Sequence, residues 1–501
     1  MQVCIMSVFQ FDVAAQFESG KWIFGYGAGV DFCDSVPKAF VGSKIRTSEG
    51  CSSISDENGN LLFYTDGISV WNKANAIMPN GTKLNGHLSS TQSAIIVPLP
   101  GSKSIFYIFT MDSEANKGGF CYSIVDLNKD KGFGDITLKN QLIKELCTEK
   151  LVAVKHNNNK DIWIIIHEYG SNAFVAYLLT KEGLSIKPVV SNSGIVYDKS
   201  VYNTIGYLKV SIDKKKLAVA INGEKTVQVF NFDNKTGLVS NPITLKLGAE
   251  NNPYGLEFSP DGKLLYIGIV TSGKILQANI SSGNEGDIQK TICPIGQNKN
   301  KKNVGALQLA INGKIYIAEY QSKFLSSIEN PTIVGKDCRF KQDAIFLADN
   351  TCMFGLPTFF QDLIKPHKKA QKNNDFTVNS KLETNKKYTL ENVYFDFNKA
   401  TLRQESIAEL LQLADILREN LALDITITGH TDSIGGNDYN KKLSLARAKA
   451  IGKFLNQNKI SRNRISFAGK GCSQPLTTNT DETGRQKNRR VEFILTEQEK
   501  H

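Results

Sequence analysis

The chain has 501 residues, of which 41% are hydrophobic and 22% are charged. At about 100–200 residues per domain, this length predicts two to four domains with substantial cores. The composition excludes collagen, a long coiled coil and wholesale disorder. No apolar run approaches the ~20 residues that a membrane-spanning helix needs, so an integral helical membrane protein is excluded.

The net charge of +11 raises the question of nucleic-acid binding. A nucleic-acid-binding protein concentrates its basic residues on one face or one helix. Here the densest basic block is the short run KPHKK at residues 365–369, which is typical of a solvated linker. The sequence therefore predicts no nucleic-acid partner.

The cysteines and histidines form no recognisable metal or redox motif. None of the nine cysteines belongs to a CxxC pair, so neither a zinc ribbon nor a thioredoxin-like motif is predicted. The histidines have no second ligand cluster at a suitable spacing. We predict no metal and no cofactor, and the pairing state of the cysteines stays open.

Residues 1–20 have two interpretations. Residues 3–11 are largely apolar and VAA at residues 13–15 resembles a small-residue cleavage site, but no basic residue precedes Lys21. A secretory signal has a basic start and a longer apolar stretch. We interpret the segment as a degenerate export signal, with an ordinary buried first strand as the alternative.

Residues 21–361 predict a β-propeller of six or seven blades. Short apolar strands alternate with polar turns, as in ISDENGNLLFY at residues 54–64, and the turn markers are Gly59, Gly101, Asn158, Lys214, Gly262 and Gly313. A period of ~40–50 residues with about four strands is typical of a blade. Residues 352–360 are predicted to form the inner strand of a seventh blade, with outer strands from residues 22–32. A pair of β-sandwiches is the alternative.

Residues 21–111 also carry a resemblance. The stretches are WIFG at 22–25, TSEGCSSISD at 47–56, FYTDG at 63–67 and SSTQS at 89–93. They resemble the start of WD40-like propeller regions in Bacteroidetes-type surface and gliding-associated proteins. The resemblance implies an exported protein of a Gram-negative envelope. The polar runs at 47–55 and 89–93 either line the mouth of the ring or bond to strand edges.

A Lys- and Asn-rich linker is predicted at residues 362–389, followed by a second domain at residues 390–501. In that domain strands are predicted at 393–397, 424–429, 464–468 and 489–496, and helices over 402–417 and 440–456. Helices that alternate with strands indicate an α/β sandwich.

Arg447 is the most informative residue of this domain. On a helical projection it falls within an apolar stripe formed by Leu443, Ala446, Ala450, Ile451 and Phe454. A buried guanidinium stays charged, and leaving it unpaired costs several kcal/mol, roughly, so an anion must meet it. Asp432, at the end of the preceding strand, would complete a charge pair that matches the zwitterionic head of an amino acid. An internal Asp432–Arg447 salt bridge without a ligand is the alternative.

Residues 392–496 resemble the carboxy-terminal peptidoglycan-binding domain of the OmpA family, which peptidoglycan-associated lipoproteins and flagellar stator proteins share. The matching stretches are YFDFN at 394–398, GHTDSIG at 429–435, NKKLSLARA at 440–448 and NRRVEF at 488–493. The resemblance implies that Asp432 binds the ammonium group and Arg447 the carboxylate of diaminopimelate in the peptidoglycan stem peptide. It implies that Asn398, Asn440, Arg489 and the backbone of Ile434 frame the pocket.

These observations predict a non-enzymatic envelope scaffold with no catalytic residues. The propeller would contact an envelope protein or glycan, with secretion or gliding machinery as a hypothesis by analogy. The tail would hold the wall, which places the protein in the periplasm near the outer membrane and cell wall. One alternative is an exported propeller enzyme acting on glycans, which requires His87, His156, His167, Glu49 and Glu168 to converge at one mouth of the ring. Another is a tail that binds only protein.

Overall fold

The computed structural model of the chain describes residues 17–34, 36–198, 200–301, 303–365, 383–390, 393, 395, 399–402 and 406–498. Contacts divide the chain into two compact units, Met1–Lys368 and Lys369–His501, which are described separately. Most of the predicted export signal lies outside the described residues. None of the described helices is both long and apolar enough to cross a membrane.

The first unit consists of small antiparallel sheets whose strands pair largely in chain order. Sheet 1 has three strands: β1 (Lys21–Phe24), β2 (Ala28–Asp31) and β3 (Lys38–Ala39). Sheet 2 has β4 (Ser52–Ser55), β5 (Leu61–Thr65), β6 (Ser69–Asn72) and β7 (Ile77–Thr82). Sheet 3 has β8 (Ala94–Pro98), β9 (Ile105–Met111), β10 (Phe120–Asp126) and β11 (Asp135–Lys144). Sheet 4 has β12 (Cys147–Lys155), β13 (Ile162–Glu168), β14 (Ala173–Thr180), β15 (Gly183–Leu184) and β16 (Val189–Asn192).

Three further sheets repeat the same pattern. Sheet 5 has β17 (Leu208–Val210), β18 (Lys216–Ile221), β19 (Thr226–Asp233) and β20 (Leu238–Lys246). Sheet 6 has β21 (Pro253–Phe258), β22 (Leu264–Ile269), β23 (Lys274–Asn279) and β24 (Cys293–Gln297), with helix α1 (Glu285–Thr291) before its last strand. Sheet 7 has β25 (Val304–Leu309), β26 (Ile315–Glu319), β27 (Phe324–Ile328) and β28 (Phe340–Phe346).

The predicted turn markers lie between the first and second strands of sheets 2–7. Five of them have a left-handed backbone with positive φ: Gly59, Gly101, Lys214, Gly262 and Gly313. In sheet 4 the left-handed residue is Asn159, one position after the predicted marker. Tight turns between antiparallel strands need such backbones, which Gly and Asn adopt readily. The positions of the turn markers therefore correctly predicted where the first and second strands of these sheets are joined.

The first strands of sheets 2–7 contact one another in chain order, β4 with β8, β8 with β12, and so on to β25. Polar side chains join them at their buried faces. The Gln92 amide bonds to the backbones of Leu151 and Leu208, and the Lys209 ammonium donates to Glu257 at 3.0 Å and to Gln308 at 2.6 Å. Buried polar contacts therefore join the first strands of sheets 3–7.

Sheet 1 contacts both sheet 2 and sheet 7. Strand β1 contacts β4. On its other side the rings of Trp22 and Phe32 pack against Tyr316 of β26, with centroid distances of 5.9 and 5.0 Å. The N-terminal strands thus contact both the first and the last of the other six sheets.

Residues 352–360 do not form the predicted inner strand of a sheet with residues 22–32. In the described structure they form isolated bridges rather than a ladder, among them parallel bridges from Pro357 to Cys51 and from Phe359 to Ile96. Because proline has no N–H group, it interrupts a regular ladder at residue 357. The segment instead lies along the first strands of sheets 2 and 3, and Asp362 then accepts the backbone N–H of Lys155 at 2.7 Å and pairs with Lys214. We call residues 351–363 the central segment.

The second unit contains a four-stranded mixed sheet in the order β29–β32–β30–β31, parallel only between β30 and β31. Its elements are β29 (Lys387–Leu390), α2 (Ile407–Glu419), β30 (Leu423–His430), α3 (Asn437–Gln457), β31 (Ile465–Gly471), α4 (Glu482–Asn488) and β32 (Val491–Glu497). Helix α3 packs on β30 and β31, and α2 packs on α3. The predicted alternation of helices and strands is thus confirmed, but the strand predicted at 393–397 is not found in the described residues, where Val393 lies outside a strand and Phe395 forms an isolated bridge with Leu402. Strand β29 lies inside the segment predicted as linker, which therefore ends before Lys387.

The buried stripe of α3 is rotated from its predicted position. Its members are Asn440, Ser444, Arg447, Ala448, Ile451, Gly452 and Leu455, whereas Ala446 is exposed. Glycines explain the rotation, because they let the helix and the sheet approach closely on this side. A Cβ at Gly429 of β30 would lie 2.2 Å from the Ser444 carbonyl oxygen, and one at Gly452 would lie 2.2 Å from the Phe467 ring. The helix approaches the sheet along these close contacts. Arg447 is 8% exposed, so its predicted burial is confirmed.

Candidate functional site

The site begins with the loop between β30 and α3, which holds Asp432 in place. Asn440, 1% exposed on α3, donates from its amide nitrogen to the carbonyl oxygens of Asp432, Ile434 and Gly435 at 3.1–3.4 Å. The Ile434 N–H in turn donates to Asp432 Oδ1 at 3.0 Å. Gly435 closes the turn with φ +98°, a backbone that favours glycine. One asparagine thus fixes the loop, and the loop fixes one carboxylate oxygen.

The second oxygen of Asp432 is held by an arginine from a distant part of the chain. Arg489 Nη1 donates to Asp432 Oδ2 at 2.7 Å, and its Nη2 donates to Glu482 at 2.6 Å. The Arg489 side chain is 32% exposed. Burial alone would lower its pKa, but the hydrogen bonds to Asp432 and Glu482 outweigh burial and raise it. Arg489 thus bridges the carboxylates of Asp432 and Glu482 at the edge of the loop.

Arg447 is engaged much less completely. Its Nε donates to the Lys399 carbonyl oxygen at 3.1 Å, and its guanidinium lies 5.1 Å from the centre of the Phe395 ring. Among the described residues, no carboxylate forms an ion pair with it and its two terminal nitrogens have no hydrogen-bond partner. Burial lowers the pKa of Arg447, the nearby charge of Arg489 lowers it further, and Asp432 acts in the opposite direction.

The alternative of an internal Asp432–Arg447 salt bridge is absent from the described contacts, because Arg489 takes the carboxylate instead. The two arginines and the one aspartate are near enough to influence one another electrostatically. The described part of the site therefore holds two arginines and two carboxylates, and both carboxylates, Asp432 and Glu482, bond to Arg489. An incoming carboxylate would meet Arg447, a guanidinium already removed from water. A charge-assisted, bidentate bond is the strongest contact that such a group makes.

The six predicted site residues have different positions. Asp432, Arg447 and Arg489 share one electrostatic neighbourhood, and Asn440 supports the loop rather than facing outward. Ile434 has its N–H and carbonyl engaged within the loop while its side chain is 64% exposed. Asn398 lies outside the described residues.

Sequence reasoning missed three residues that shape the site. Glu482 pairs with Arg489, Phe395 lies against Arg447, and Asn488 bonds to the loop at residues 476–479. The signal for Glu482 was present, because Asp481 caps α4 and Glu482 stands three residues before Arg485, a helix-start pattern.

His430 lies beside this loop with a side chain that is not exposed. Its Nε2 lies 3.2 Å from Glu492, whose other oxygen accepts Arg490 Nε at 2.8 Å. Burial acts to raise the pKa of Glu492, but the hydrogen bonds from His430 and Arg490 outweigh it and lower the pKa to about 2. His430 therefore belongs to a polar network that joins the end of β30 to β32.

The residues named for a propeller enzyme do not form one cluster. His156 bonds to the carbonyl oxygen of Lys235 in a turn, whereas His167 is fully buried between the rings of Tyr197 and Phe174. Glu168 pairs with Lys144. His87 and Glu49 lie near each other, because the Ser89 N–H donates to His87 Nδ1 at 3.1 Å and the Ser89 hydroxyl to Glu49 at 3.5 Å. No group of three or more potential metal ligands occurs among the described residues.

Comparisons with known proteins match this unit. Residues 394–489 match the model of the OmpA family. Outer membrane porin F of Pseudomonas fluorescens is 40% identical over 100 residues, which are 20% of this chain and 31% of the relative. Outer membrane protein A of Bordetella avium is 41% identical over 102 residues, 20% of this chain and 53% of the relative. The chain thus spans about half or less of these curated relatives.

Solved structures match the same part of the chain. The peptidoglycan-associated lipoprotein from Burkholderia pseudomallei is 29% identical, with 21% of this chain and 88% of that chain covered and a TM-score of 0.20. The cell wall anchor of the T6SS from Pseudomonas aeruginosa is 30% identical, with 22% and 80% covered and a TM-score of 0.20. The C-terminal unit is OmpA-like.

Proposed function

We propose that the second unit binds the diaminopimelate of peptidoglycan stem peptides without covalent chemistry. The observation that carries the proposal is Arg447, a guanidinium 8% exposed whose terminal nitrogens lack a partner among the described residues. It would bind the ligand carboxylate. Asp432, fixed by its loop, would bind the ammonium group, since a carboxylate can accept about four hydrogen bonds and the described contacts use two.

Arg489 and Asn440 then have supporting roles. Asn440 keeps the loop in one conformation, and Arg489 orients the Asp432 carboxylate from the side. The backbone of Ile434 and the side chain of Asn398 remain proposed framing groups. The similarity to a peptidoglycan-associated lipoprotein and to a cell wall anchor supports this assignment.

The site is suited to anchoring rather than to tight binding of one peptide. Each charge-assisted contact contributes about 1.5–3 kcal/mol net, so a single stem peptide is held weakly. A wall polymer presents many such peptides and raises the effective affinity without new contacts. The protein would thus be a non-enzymatic anchor in the periplasm, close to the outer membrane and the wall.

We propose that the first unit is a seven-bladed propeller of WD40-like type that contacts an envelope protein or a glycan. Two features support it: the chain-order contacts between the first strands of sheets 2–7, and the position of sheet 1 between sheets 2 and 7. A ring of this kind leaves no free inner edge. A role in secretion or gliding machinery of Bacteroidetes stays a hypothesis.

The wall-binding proposal is tested by retention of the full chain on purified sacculi. We expect Arg447→Met and Asp432→Asn each to reduce retention about ten- to a hundredfold, the equivalent of one charge-assisted contact. Asp438→Asn, an exposed aspartate in the first turn of α3, is the matched control and should retain wild-type binding. Equal retention of all four proteins would refute the proposal.

Competition identifies the ligand group. A soluble stem tripeptide that ends in diaminopimelate should displace the protein from sacculi, whereas the same tripeptide with lysine lacks one carboxylate and should be at least tenfold weaker. Equal competition by the two peptides would show that Arg447 does not bind the second carboxylate of diaminopimelate. Retention that depends only on other proteins left in the sacculi would favour a tail that binds only protein.

A further inference from the structure

Six residues near the starts of first strands meet at one end of the first unit. Five of them lie just before or within the first residues of β4, β8, β12, β17 and β21, and the sixth bonds to β25. In the same order they are Glu49, Thr91, Glu149, Tyr207, Tyr254 and Phe354. Backbone bonds join them: the Phe354 carbonyl oxygen accepts Ala306 N–H at 2.7 Å, and the Tyr254 carbonyl oxygen accepts Tyr207 N–H at 3.0 Å. We call these six residues the convergence cluster.

Glu149 is fully hydrogen-bonded within this cluster. One of its oxygens accepts the N–H and the hydroxyl of Thr91, at 2.9 and 2.6 Å, and the other accepts the Glu114 N–H at 3.1 Å. The adjacent Lys150 ammonium points elsewhere and donates to the carbonyl oxygens of residues 203–205. Glu149 is therefore a fixed carboxylate without a cation on it.

Glu49 is the opposite case. Among the described residues, one oxygen accepts the Ser89 hydroxyl at 3.5 Å, and the other is buried without a hydrogen bond of ordinary geometry. The Tyr254 hydroxyl, on a side chain 3% exposed, faces Glu49 and is likewise buried without such a bond. Buried polar groups nearly always have partners. A donor placed between Glu49 and the Tyr254 hydroxyl would complete the contacts of both groups.

Aromatic rings form the other wall of the cluster. The Phe354 ring lies 5.8 Å from Tyr254 and stacks on Tyr320 at 4.4 Å. Phe354 and Tyr320 are half-buried, and the neighbouring Leu88 is 44% exposed, so the wall is reachable from solvent. Carboxylates next to aromatic faces are the combination that recognises organic cations.

We propose that the convergence cluster binds the guanidinium or ammonium group of an arginine or lysine side chain from a partner protein, with Glu49 as its counter-ion. The inference rests on the proposed partner-binding role of the first unit and specifies the chemistry of that partner. An organic cation fits better than a metal ion, because the described residues contain no group of three or more potential metal ligands. An anionic glycan would meet Glu49, Glu114 and Glu149 and is disfavoured.

The protonation of Glu49 provides a second readout. Burial, followed by the charge of Glu149, raises the pKa of Glu49 to about 8. The groups that face it are Glu149, Glu114, Tyr254 and Ser89, and Tyr207 also senses its charge. A bound cation favours the ionised carboxylate, so binding at neutral pH releases a proton and becomes tighter as the pH rises from 6 to 9.

The test uses acetyl-Gly-Arg-Gly-amide and its uncharged citrulline counterpart as probes of the full chain, followed by ligand-observed saturation-transfer NMR. We expect the arginine peptide to bind at least tenfold more tightly than the citrulline peptide at pH 7.5. Glu49→Gln should weaken the arginine peptide at least tenfold and abolish the rise of affinity between pH 6 and 9. Glu57→Gln, an exposed glutamate on the turn at the far end of β4, is the matched control.

Further variants guard against a folding defect. Tyr254→Phe keeps the ring and removes only the hydroxyl that faces Glu49, so it should weaken the peptide while Trp fluorescence stays unchanged. Equal binding of the two peptides, or equal affinity of the Glu49→Gln and Glu57→Gln proteins, would overturn the inference. Sacculus retention is measured in parallel and should be unchanged by Glu49→Gln, which separates failure of this inference from failure of the wall anchor.

Discussion

Two buried arginines of the second unit should behave in opposite ways when replaced by methionine. Arg447 and Arg464 are both 8% exposed. Arg464 donates from Nε to the Leu423 carbonyl oxygen at 2.8 Å and from Nη2 to the carbonyl oxygens of Leu423 and Asn420. Arg447 makes one such bond and one ring contact. Arg464 is bound within the fold, whereas Arg447 has few partners among the described residues.

The magnitudes follow from these contacts. Arg464→Met removes three charge-assisted hydrogen bonds to the carbonyl oxygens of Leu423 and Asn420 and should destabilise the unit by about 2–4 kcal/mol. Arg447→Met loses about 1.5–3 kcal/mol of hydrogen bonding and about 0.5–1 kcal/mol of cation–π contact. It also removes the penalty of burying an unpaired charge, which is several kcal/mol, roughly. We therefore expect a net change within about 1 kcal/mol of zero for Arg447→Met.

Hydrogen exchange of the full chain, read by mass spectrometry on peptides from β30 and β32, measures both changes. Arg464→Met should accelerate exchange about 30-fold or more, and Arg447→Met less than about fivefold, at 1.4 kcal/mol per tenfold. Sacculus binding should show the reverse order. If Arg447→Met accelerated exchange as much as Arg464→Met, the guanidinium would be a structural group and the reasoning about a ligand site would be wrong.

Three further predictions concern charges elsewhere in the chain. Asp362→Asn should speed hydrogen exchange at residues 357–363 more than tenfold, because Asp362 accepts an N–H of β12 and pairs with a lysine of the β17–β18 turn. The control is Asp343→Asn, which breaks a more exposed ion pair and should leave exchange at residues 357–363 unchanged. Glu492 has a folded-state pKa of about 2, below the ~4.3 of an unfolded glutamate, so its stabilisation is complete above pH ~4.3 and lost as the pH falls toward 2. Glu492→Gln should flatten that acid limb in calorimetry of the full chain between pH 2 and 6. Lys209→Met leaves Glu257 buried without its cation and should destabilise the first unit by about 3–5 kcal/mol, measured by urea titration of tryptophan fluorescence, since all three tryptophans lie in this unit.

The sequence predicted the repeated turns because their cause is local. A residue such as Gly262 or Lys214 adopts a left-handed backbone in its own turn, and the polar turn between apolar strands is visible in a short window. The central segment was misassigned because its bonds are distant. The Ser52 hydroxyl donates to the Thr358 carbonyl oxygen across 306 positions, and no periodicity reports such a contact.

The site was predictable in its residues but not in its pairing. Burial of Arg447 followed from helical spacing even though the stripe is centred on Ala448 and Ile451. The Asp432–Arg489 ion pair joins residues 57 positions apart. It depends on how α4 and the start of β32 return to the loop, which apolar patterning does not encode. The prediction therefore failed where a contact joins residues that are far apart in the sequence.

The central segment has a mechanical consequence for a protein whose following residues lead toward the second unit. Tension on the chain beyond Ile364 would first load the Asp362 contacts and the Ser19 hydroxyl bond to the Leu363 carbonyl oxygen. It would next load the Ser52–Thr358 bond at β4. Because these contacts reach sheets 2, 4 and 5, the load would pass from sheet to sheet instead of peeling away one peripheral strand. The route of the polypeptide would thus distribute tension at residue 364 over several sheets of the first unit.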